Sequence, residues 1–322
     1  MQHLKDRRET ARKVTMSDRF DFLEIGNENP RAVPQPDAPV PSGNTGIGWK
    51  PMRLKAVEVI GEPGTGAGQF SAPTGLDVDR DGALYVVDSN NHRVQRIALN
   101  GDVKIYGRPG NAPGQLWGPQ SVAVHPGGQF FFVAEQGNNR VQCFHLSGQH
   151  RGVLPGFRSP SGVMFDTEGR LWVADTMNGR VLRFDINSGQ HIGGFDATMG
   201  VVRPIALACD MVKNVYITDG STNDVTRYTY FGQRGGHALG EFRRLNSPHQ
   251  VAIDAEGRLY ITESGANRLH VFDQNGNSLT MMDTPMTKLG SFRAPSGVAL
   301  GPNGEIYVAD TLNHRVLRLA WE

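Results

Sequence analysis

The most prominent reactive side chains of this sequence form a recurring set, in which an acidic residue precedes an arginine by five positions with an asparagine between them. The copies are Asp88 with Asn91 and Arg93, Glu135 with Asn139 and Arg140, Asp175 with Asn178 and Arg180, Glu263 with Asn267 and Arg268, and Asp310 with Asn313 and Arg315. Such groups can bind ions, but a set that recurs at regular intervals does not mark one active site. The spacing is typical of a turn between two strands that is held by charge-assisted hydrogen bonds.

A further copy of the set lacks its arginine. Asp219 is followed by Asn223 and then by Asp224, so an acid stands where the other copies have a base. Two neighbouring carboxylates are a weak candidate for a metal or other cation site. The alternative is a degenerate copy with a locally rearranged turn.

A second candidate group consists of the residue that follows each of six regularly spaced prolines. These residues are Thr74, Gln120, Ser161, Ile205, His249 and Ser296. With Gln250, the polar members would orient a small polar ligand if the fold brought them around one opening. The alternative is a water-filled channel whose lining residues bond to one another. His249 is a weak metal candidate, because a catalytic zinc needs several protein ligands.

The spacing of these prolines predicts the elements that position both groups. Pro73, Pro119, Pro160, Pro204, Pro248 and Pro295 are separated by 46, 41, 44, 44 and 47 residues. That period matches the roughly 40 to 45 residues of a four-stranded propeller blade. Each unit also contains a second run, such as Leu84 to Asp88, that is apolar on both alternating faces. Strands between stacked blades need such a pattern, because both of their faces are covered.

The two ends of the repeat array predict how the ring is closed. The segment before Pro73 matches the outer strand before Pro119, although no complete unit precedes it, and the last unit ends at Glu322 without a fourth strand. We expect Val57 to Ile60 to supply that strand and so leave no open sheet edge. The sequence therefore predicts an all-β, six-bladed β-propeller over residues 51–322.

The turn sequences resemble a known repeat. DSNNHRVQ at Asp88 to Gln95 and DTLNHRVL at Asp310 to Leu317 are similar to the Asn-His-Leu (NHL) family, and the resemblance runs through all six units. It implies a propeller but no single activity, because that family includes RNA-binding modules, protein-interaction scaffolds and a zinc lyase. In the peptidyl-amidoglycolate lyase branch, histidines after the repeat prolines of several blades bind zinc. Only His249 matches that pattern here.

Charge and composition argue against several other functions. The chain has 33 Lys/Arg and 32 Asp/Glu, of which residues 1–50 hold 8 and 7, so the repeat region is neutral and binding to nucleic acid is not favoured. The nearest approach to an RNA-binding group of aromatic and basic residues is Arg227, Tyr228, Tyr230, Phe231 and Arg234. An outer strand with its following loop explains that group equally well.

Cysteine content and hydropathy suggest a compartment. Cys143 and Cys209 lie in different repeats and are expected to be free buried thiols. No apolar run is long enough to span a bilayer, and the first thirty residues lack the layout of a secretion signal. The sequence therefore predicts a cytoplasmic protein without a transmembrane segment.

Residues 1–50 are expected to form an extended arm outside the propeller. The first fourteen residues are strongly charged, and Met16 is an alternative start. The apolar-acidic cluster of Phe20, Phe22, Leu23 and Ile25 then precedes a proline-rich stretch that favours an extended chain. We interpret this cluster as an anchor for a partner, with a disordered leader as the alternative.

Together these features favour a non-enzymatic accessory subunit of a larger protein assembly. The propeller would be a rigid docking disc and the arm a tether, and a position on the surface of a membrane complex is one option. No cofactor and no catalytic residue are implied. A metal-dependent lyase or hydrolase centred on His249 is the first alternative, and an RNA-binding NHL module is the second.

Overall fold

Antiparallel strands joined by short turns make up the described part of the chain, which the computed structural model gives as residues 52–229, 245–284 and 290–322. These strands form six blades. The innermost strand of each blade contacts those of its two neighbours, and the last contacts the first. The predicted all-β, six-bladed β-propeller is confirmed. The arm of residues 1–50 lies outside the described residues.

The first strands along the chain are β1 (Leu54–Ile60), β2 (Glu62–Pro63) and β3 (Gln69–Phe70). Blade one then contains β4 (Pro73–Val78), β5 (Leu84–Asp88), β6 (Arg93–Ile97) and β7 (Val103–Tyr106). Blade two contains β8 (Pro119–Val124), β9 (Phe130–Glu135), β10 (Arg140–His145) and β11 (His150–Leu154). Blade three contains β12 (Gly162–Phe165), β13 (Leu171–Asp175), β14 (Arg180–Asp185) and β15 (Gln190–Phe195).

Within the described residues blade four contains β16 (Pro204–Cys209), β17 (Val215–Asp219) and β18 (Asp224–Tyr228). Blade five contains β19 (Pro248–Ile253), β20 (Leu259–Glu263), β21 (Arg268–Phe272) and β22 (Ser278–Met282). Blade six contains β23 (Val298–Leu300), β24 (Ile306–Asp310) and β25 (Arg315–Trp321). Short 3-10 helices span Ser89–Asn91, Thr176–Asn178, Ala197–Met199 and Thr311–Asn313.

The core lies between the blades. Every residue of the six second strands is buried, as the apolar pattern on both of their faces predicts. Six apolar clusters fill the six interfaces between neighbouring blades. At the interface of blades six and one, for example, Leu76 and Val86 pack against Tyr307. The stacked blades are therefore joined by apolar burial around the whole ring.

Ring closure occurs where the two ends of the propeller meet. β1 pairs antiparallel with β25, from Leu54 opposite Trp321 to Ile60 opposite Val316. The strand begins before the predicted Val57, because Leu54 and Ala56 are also buried in the cluster between blades five and six. The sixth blade thus takes its outer strand from the start of the propeller, as predicted.

Small residues let the innermost strands approach one another. A Cβ atom on Gly75 would lie 2.5 Å from the Gln120 carbonyl oxygen, and one on Gly162 would lie 2.6 Å from the Ile205 oxygen. Side chains at these positions would push neighbouring blades apart. Both cysteines are free, and no helix among the described residues has the length and hydropathy to cross a membrane.

Candidate functional site

The acid of the recurring set ties the turn of each blade to the loop that enters it. In blade one the buried Asp88 accepts hydrogen bonds on Oδ2 from Arg93 Nε (2.7 Å) and Asn91 Nδ2 (2.8 Å). Its Oδ1 accepts one from the Ser71 backbone N–H at 2.7 Å. Arg93 also donates to the Thr65, Gly66 and Gln69 carbonyls. The acid and its arginine therefore fix two loops to each other.

The same contact recurs in four other blades. The Nε-to-carboxylate distances are 2.8 Å for Arg140 and Glu135, 2.7 Å for Arg180 and Asp175, 2.7 Å for Arg268 and Glu263, and 2.8 Å for Arg315 and Asp310. In each of these blades the acid also accepts the backbone N–H two residues before the repeat proline. The structural role predicted for the set is confirmed.

The residue just before the arginine joins one blade to the next, a role that the sequence did not reveal. It has a positive φ in each turn, and in four of the six turns its side chain accepts the N–H that precedes the next repeat proline. The pairs are His92 Nδ1 with Gly118 N (3.1 Å), Asn139 Oδ1 with Ser159 N (2.7 Å), Asn267 Oδ1 with Ala294 N (2.7 Å) and His314 Nδ1 with Ala72 N (3.0 Å). The last pair crosses the ring closure.

This finding corrects the assignment of two asparagines. Asn139 and Asn267 were grouped with the acids of their own blades, but both face the neighbouring blade. In blade two it is Asn138 that donates to Glu135 Oε2, at 2.6 Å. The spacing was an available signal, because Asn138 follows its acid by three positions, as Asn91, Asn178 and Asn313 do.

The hydroxyl groups that follow the repeat prolines donate to the next blade. Thr74 Oγ1 donates to the Gln120 carbonyl at 3.1 Å, and Ser161 Oγ donates to the Ile205 carbonyl at 2.8 Å. Ser296 Oγ donates to the Pro73 carbonyl at 3.4 Å. The donors of these groups are therefore directed at neighbouring innermost strands. Their role as ligand-binding groups stays a prediction.

The two glutamines of this region behave differently from each other. Gln120 Nε2 donates to Ser89 Oγ in the turn of the adjacent blade one, at 3.2 Å. Gln250 reaches over blade six: its Oε1 accepts from Val298 N at 3.3 Å, and its Nε2 lies 3.5 Å from the Leu76 carbonyl of blade one. The corresponding residues of the other blades are small, namely Gly75, Ser121, Gly162, Ala206 and Gly297. The Gln250 amide therefore crosses part of the channel.

His249 lies on the innermost strand of blade five and is partly exposed. Burial lowers its pKa below the usual histidine value, against the opposing effect of a hydrogen bond with the Ser296 backbone. The imidazole is thus neutral at pH 7, the form that binds metals. Among the described residues, however, no three His, Cys, Asp or Glu side chains are grouped to hold a metal ion. A site centred on His249 stays a prediction.

Asp77 is a titratable residue of the innermost strands that sequence reasoning missed. Its Oδ2 accepts from Val124 N of blade two at 2.7 Å, and its Oδ1 accepts from Val78 N at 2.8 Å. Burial raises its pKa to about 6 despite these two hydrogen bonds. The signal was available, because blades two, four, five and six have alanine at this position.

Asp77 predicts a specific pH dependence of stability. The folded-state pKa of about 6 lies above the ordinary value of 3.8, so the stability present at low pH is lost as the pH rises from about 4 to about 6. We expect the free energy of unfolding of the wild type, relative to Asp77→Asn, to fall by about 2 kcal/mol between pH 4 and pH 7.5. Urea denaturation of both proteins at several pH values measures this difference. A pH-independent difference would contradict the assignment.

Blade four brings its two acids together. Asp219 and Asp224 are directly opposite each other on β17 and β18. Asp219 Oδ2 accepts from the Val202 and Arg203 N–H groups, both at 2.9 Å, and its Oδ1 accepts from Ser221 N at 2.8 Å. The loop contact of the other blades is therefore kept, whereas Asp224 stands where their turns have the arginine.

The residues considered for RNA binding do not form an exposed group in the described chain. Tyr228 is fully buried in the cluster between blades three and four, and its hydroxyl donates to the Met199 carbonyl at 3.2 Å. It cannot stack on a base, because both of its faces are covered. Tyr230, Phe231 and Arg234 lie outside the described residues.

Fold and turn geometry together define a six-bladed β-propeller in which acid-centred hydrogen bonds tie the turn of a blade to the loop that enters it. A profile of the NHL repeat matches residues 70–97, 157–184, 245–272 and 292–319, which fall in blades one, three, five and six. The chain is a six-bladed β-propeller in which four blades match the NHL repeat.

Known proteins similar to this chain have different activities. Human E3 ubiquitin-protein ligase TRIM32 is 24% identical over 288 residues, which cover 79% of this chain and 43% of the ligase. Mouse NHL repeat-containing protein 3 is 32% identical over 60% of this chain and 61% of its own length. Drosophila melanogaster peptidyl-alpha-hydroxyglycine alpha-amidating lyase 2 is 26% identical over 63% of this chain and 55% of the lyase. This chain therefore spans about half the length of these relatives.

Solved structures support the fold alone. A Bacteroides thetaiotaomicron protein of unknown function has a TM-score of 0.64 at 16% identity, covering 84% of this chain and 76% of its own. Virginiamycin B lyase from Staphylococcus aureus has a TM-score of 0.60 at 16% identity, covering 84% and 99%. At such identity the likeness concerns the propeller and not its chemistry.

Proposed function

We propose that this protein is a non-enzymatic docking subunit of a larger protein assembly in the cytoplasm. The propeller of residues 51–322 is the rigid disc, and residues 1–50 are the tether. The anchor of the tether is the cluster of Phe20, Phe22, Leu23 and Ile25, which lies outside the described residues. A rigid disc limits the entropy lost on association, because its loops are ordered before a partner arrives.

The observation that carries this proposal is a set of exposed apolar side chains on one face. We call this face of the propeller the turn face. It consists of the loops that enter the first strand of each blade and of the turns at residues 88–93, 135–140, 175–180, 219–224, 263–268 and 310–315. Trp117, Met177, Val202 and Leu312 lie there with exposures of 48%, 50%, 53% and 48%. The acid-centred hydrogen bonds hold the loops that carry them. Large apolar side chains on rigid loops are suitable anchors for a protein partner.

The lengths of the relatives agree with a docking role. The similarity to TRIM32 covers only 43% of that ligase, so the propeller there is one part of a longer chain. In this chain the surfaces available to a partner are the faces of the propeller and an attached segment such as the arm. The lyase alternative has less support, because His249 has no grouped metal ligands among the described residues.

Deleting residues 1–50 is expected to weaken association with native partners at least tenfold, since the tether raises the effective concentration of the disc at its partner. The measurement is quantitative co-purification of a tagged full-length chain and the deletion from the native host. A full-length variant with Phe20, Phe22, Leu23 and Ile25 changed to serine separates the anchor from the spacer. Unchanged association of both variants, with unchanged thermal stability, would contradict the tether.

A further inference from the structure

One equivalent residue of each blade presents its side chain on the turn face. It lies two positions before the repeat proline, and the buried acid of the blade holds its backbone N–H. Around the ring this residue is Ser71, Trp117, Arg158, Val202, Asn246 and Arg293. All of them except Ser71 are exposed, so the position presents apolar and cationic side chains on a fixed backbone.

In blades three, four and six an exposed arginine of the entry loop lies beside an exposed apolar side chain. The carbonyl of each arginine accepts a backbone N–H from the turn of its blade. The pairs of arginine and turn residue are Arg158 with Met177 (3.1 Å), Arg203 with Gly220 (2.9 Å) and Arg293 with Leu312 (3.0 Å). In blade four the apolar neighbour is Val202, which precedes Arg203 in the chain. The turn face therefore carries three neighbouring sets of one cation and one apolar group.

These three arginines have no acidic partner in the described part of the chain, where other basic residues form all the ion pairs. Two exposed carboxylates of the same face are bonded to their own loops, Glu62 through Gln69 and Asp196 through Thr198. A third, Asp283, follows the outer strand β22 at the rim of the disc. The guanidinium groups are therefore available to carboxylates from outside.

We propose that the turn face binds an acidic-apolar segment of a protein partner, in which carboxylates alternate with phenylalanine or aliphatic residues. Its carboxylates pair with Arg158, Arg203 and Arg293, because a guanidinium group can donate two parallel hydrogen bonds to a carboxylate. Its apolar side chains pack on the apolar neighbours of these arginines and on Trp117. Such charge complementarity raises the association rate and fixes the register of the segment. The inference names the chemistry of the partner and rests on the docking role proposed for this face.

Single-stranded nucleic acid is less complementary to this face. Bases stack on aromatic side chains, but Trp117 already stacks on His92, with 4.2 Å between the ring centroids. The apolar groups beside the three arginines are aliphatic and offer no ring. The repeat region also has no net positive charge to attract a phosphate backbone.

The arm of this chain is an alternative occupant, because its apolar cluster also contains Asp21 and Glu24. Its point of attachment favours an external segment. β1 begins at Leu54 opposite Trp321, at the end of β25 that is far from the turn face. The arm therefore joins the disc at the opposite face, on an outer strand, whereas a partner reaches the turn face directly.

The test is a fluorescence-anisotropy titration of the full chain at low salt with a labelled, blocked octapeptide, Glu-Phe-Asp-Leu-Glu-Phe-Asp-Leu. We expect one equivalent to bind, at least tenfold tighter than peptides with lysine for each acid or serine for each apolar residue. The double variant Arg158→Glu with Arg293→Glu should bind the peptide at least tenfold more weakly, because two attractive contacts become repulsive.

The matched control is the double variant Arg80→Glu with Arg151→Glu. It makes the same charge change at exposed arginines, one in the hairpin between β4 and β5 on the opposite face and one on the outer strand β11. Its affinity should stay within twofold of the wild type, and both double variants should keep the wild-type Tm. No binding of the acidic-apolar peptide, or equal losses in the two double variants, would overturn the proposal.

Two further titrations distinguish the other occupants. A single-stranded RNA of eight nucleotides should bind at least tenfold more weakly than the peptide, and tighter RNA binding would overturn the protein partner. The full-length variant with Phe20, Phe22, Leu23 and Ile25 changed to serine should bind the peptide as the wild type does. Tenfold tighter binding by that variant would mean that the arm covers the face, and would overturn the partner as its occupant. Loss of native partners on deletion of residues 1–50 is a separate result, so the turn face and the tether can fail independently.

Discussion

Arg93→Ala is expected to lower the free energy of unfolding by about 3 kcal/mol, one of the largest effects of a single substitution in this propeller. The side chain of Asp88 has no exposed surface, and the change removes the cation that pairs with it. The change also removes the donors that bind the Thr65, Gly66 and Gln69 carbonyls. A buried carboxylate that has lost its partner lowers the free energy of unfolding by more than the intact pair contributes to it. Urea denaturation followed by tryptophan fluorescence measures the loss.

The matched control is Arg180→Ala in blade three. Its side chain is 39% exposed, against 10% for Arg93, and it makes one weak carbonyl contact, to Gly156 at 3.3 Å. Asp175 is as buried as Asp88, but water can reach the place of the half-exposed Arg180 and no tight loop contacts are lost, so we expect a smaller loss of about 2 kcal/mol. If both variants lose the same free energy of unfolding, the contacts of Arg93 with the entry loop do not contribute to stability.

Deleting residues 1–60 is expected to abolish the closed monomer, whereas deleting residues 1–50 should leave it intact. The longer deletion removes β1, uncovers the edge of β25, and takes Leu54 and Ala56 from the cluster that contains Leu319. An uncovered sheet edge favours pairing with other chains. Size-exclusion chromatography and thermal melting of the two variants measure the effect. A monomer with the same Tm in both would contradict closure by β1.

The repeat array and its closure could be predicted from the sequence because both depend on local patterns. The spacing of the prolines gave six units, and the run from Leu84 to Asp88, apolar on both faces, placed the second strand between blades. The start of β1 was placed three residues late, because Leu54 and Ala56 are buried only by strands from distant parts of the chain.

The partners of polar side chains could not be predicted in the same way. Asn138 and Asn139 are adjacent and have identical side chains, yet one bonds within its blade and the other bonds to the next. Gln250 contacts the Leu76 carbonyl 174 positions away, across an intervening blade. Such contacts depend on the curvature of the ring, which a repeat pattern does not encode.

The seam between β1 and β25 has a consequence for how the protein is made. The ion pair between Glu58 and Arg318 joins residues 260 positions apart, so β1 leaves the ribosome long before its partner exists. At about 5–20 residues per second, the wait is roughly 10–50 s. During translation β1 has no strand to pair with, and a product truncated before β25 never closes. Ring closure is therefore possible only after β25 has been translated. An unfinished chain leaves β1 unpaired, and chaperones or proteases can recognise it by that exposed strand.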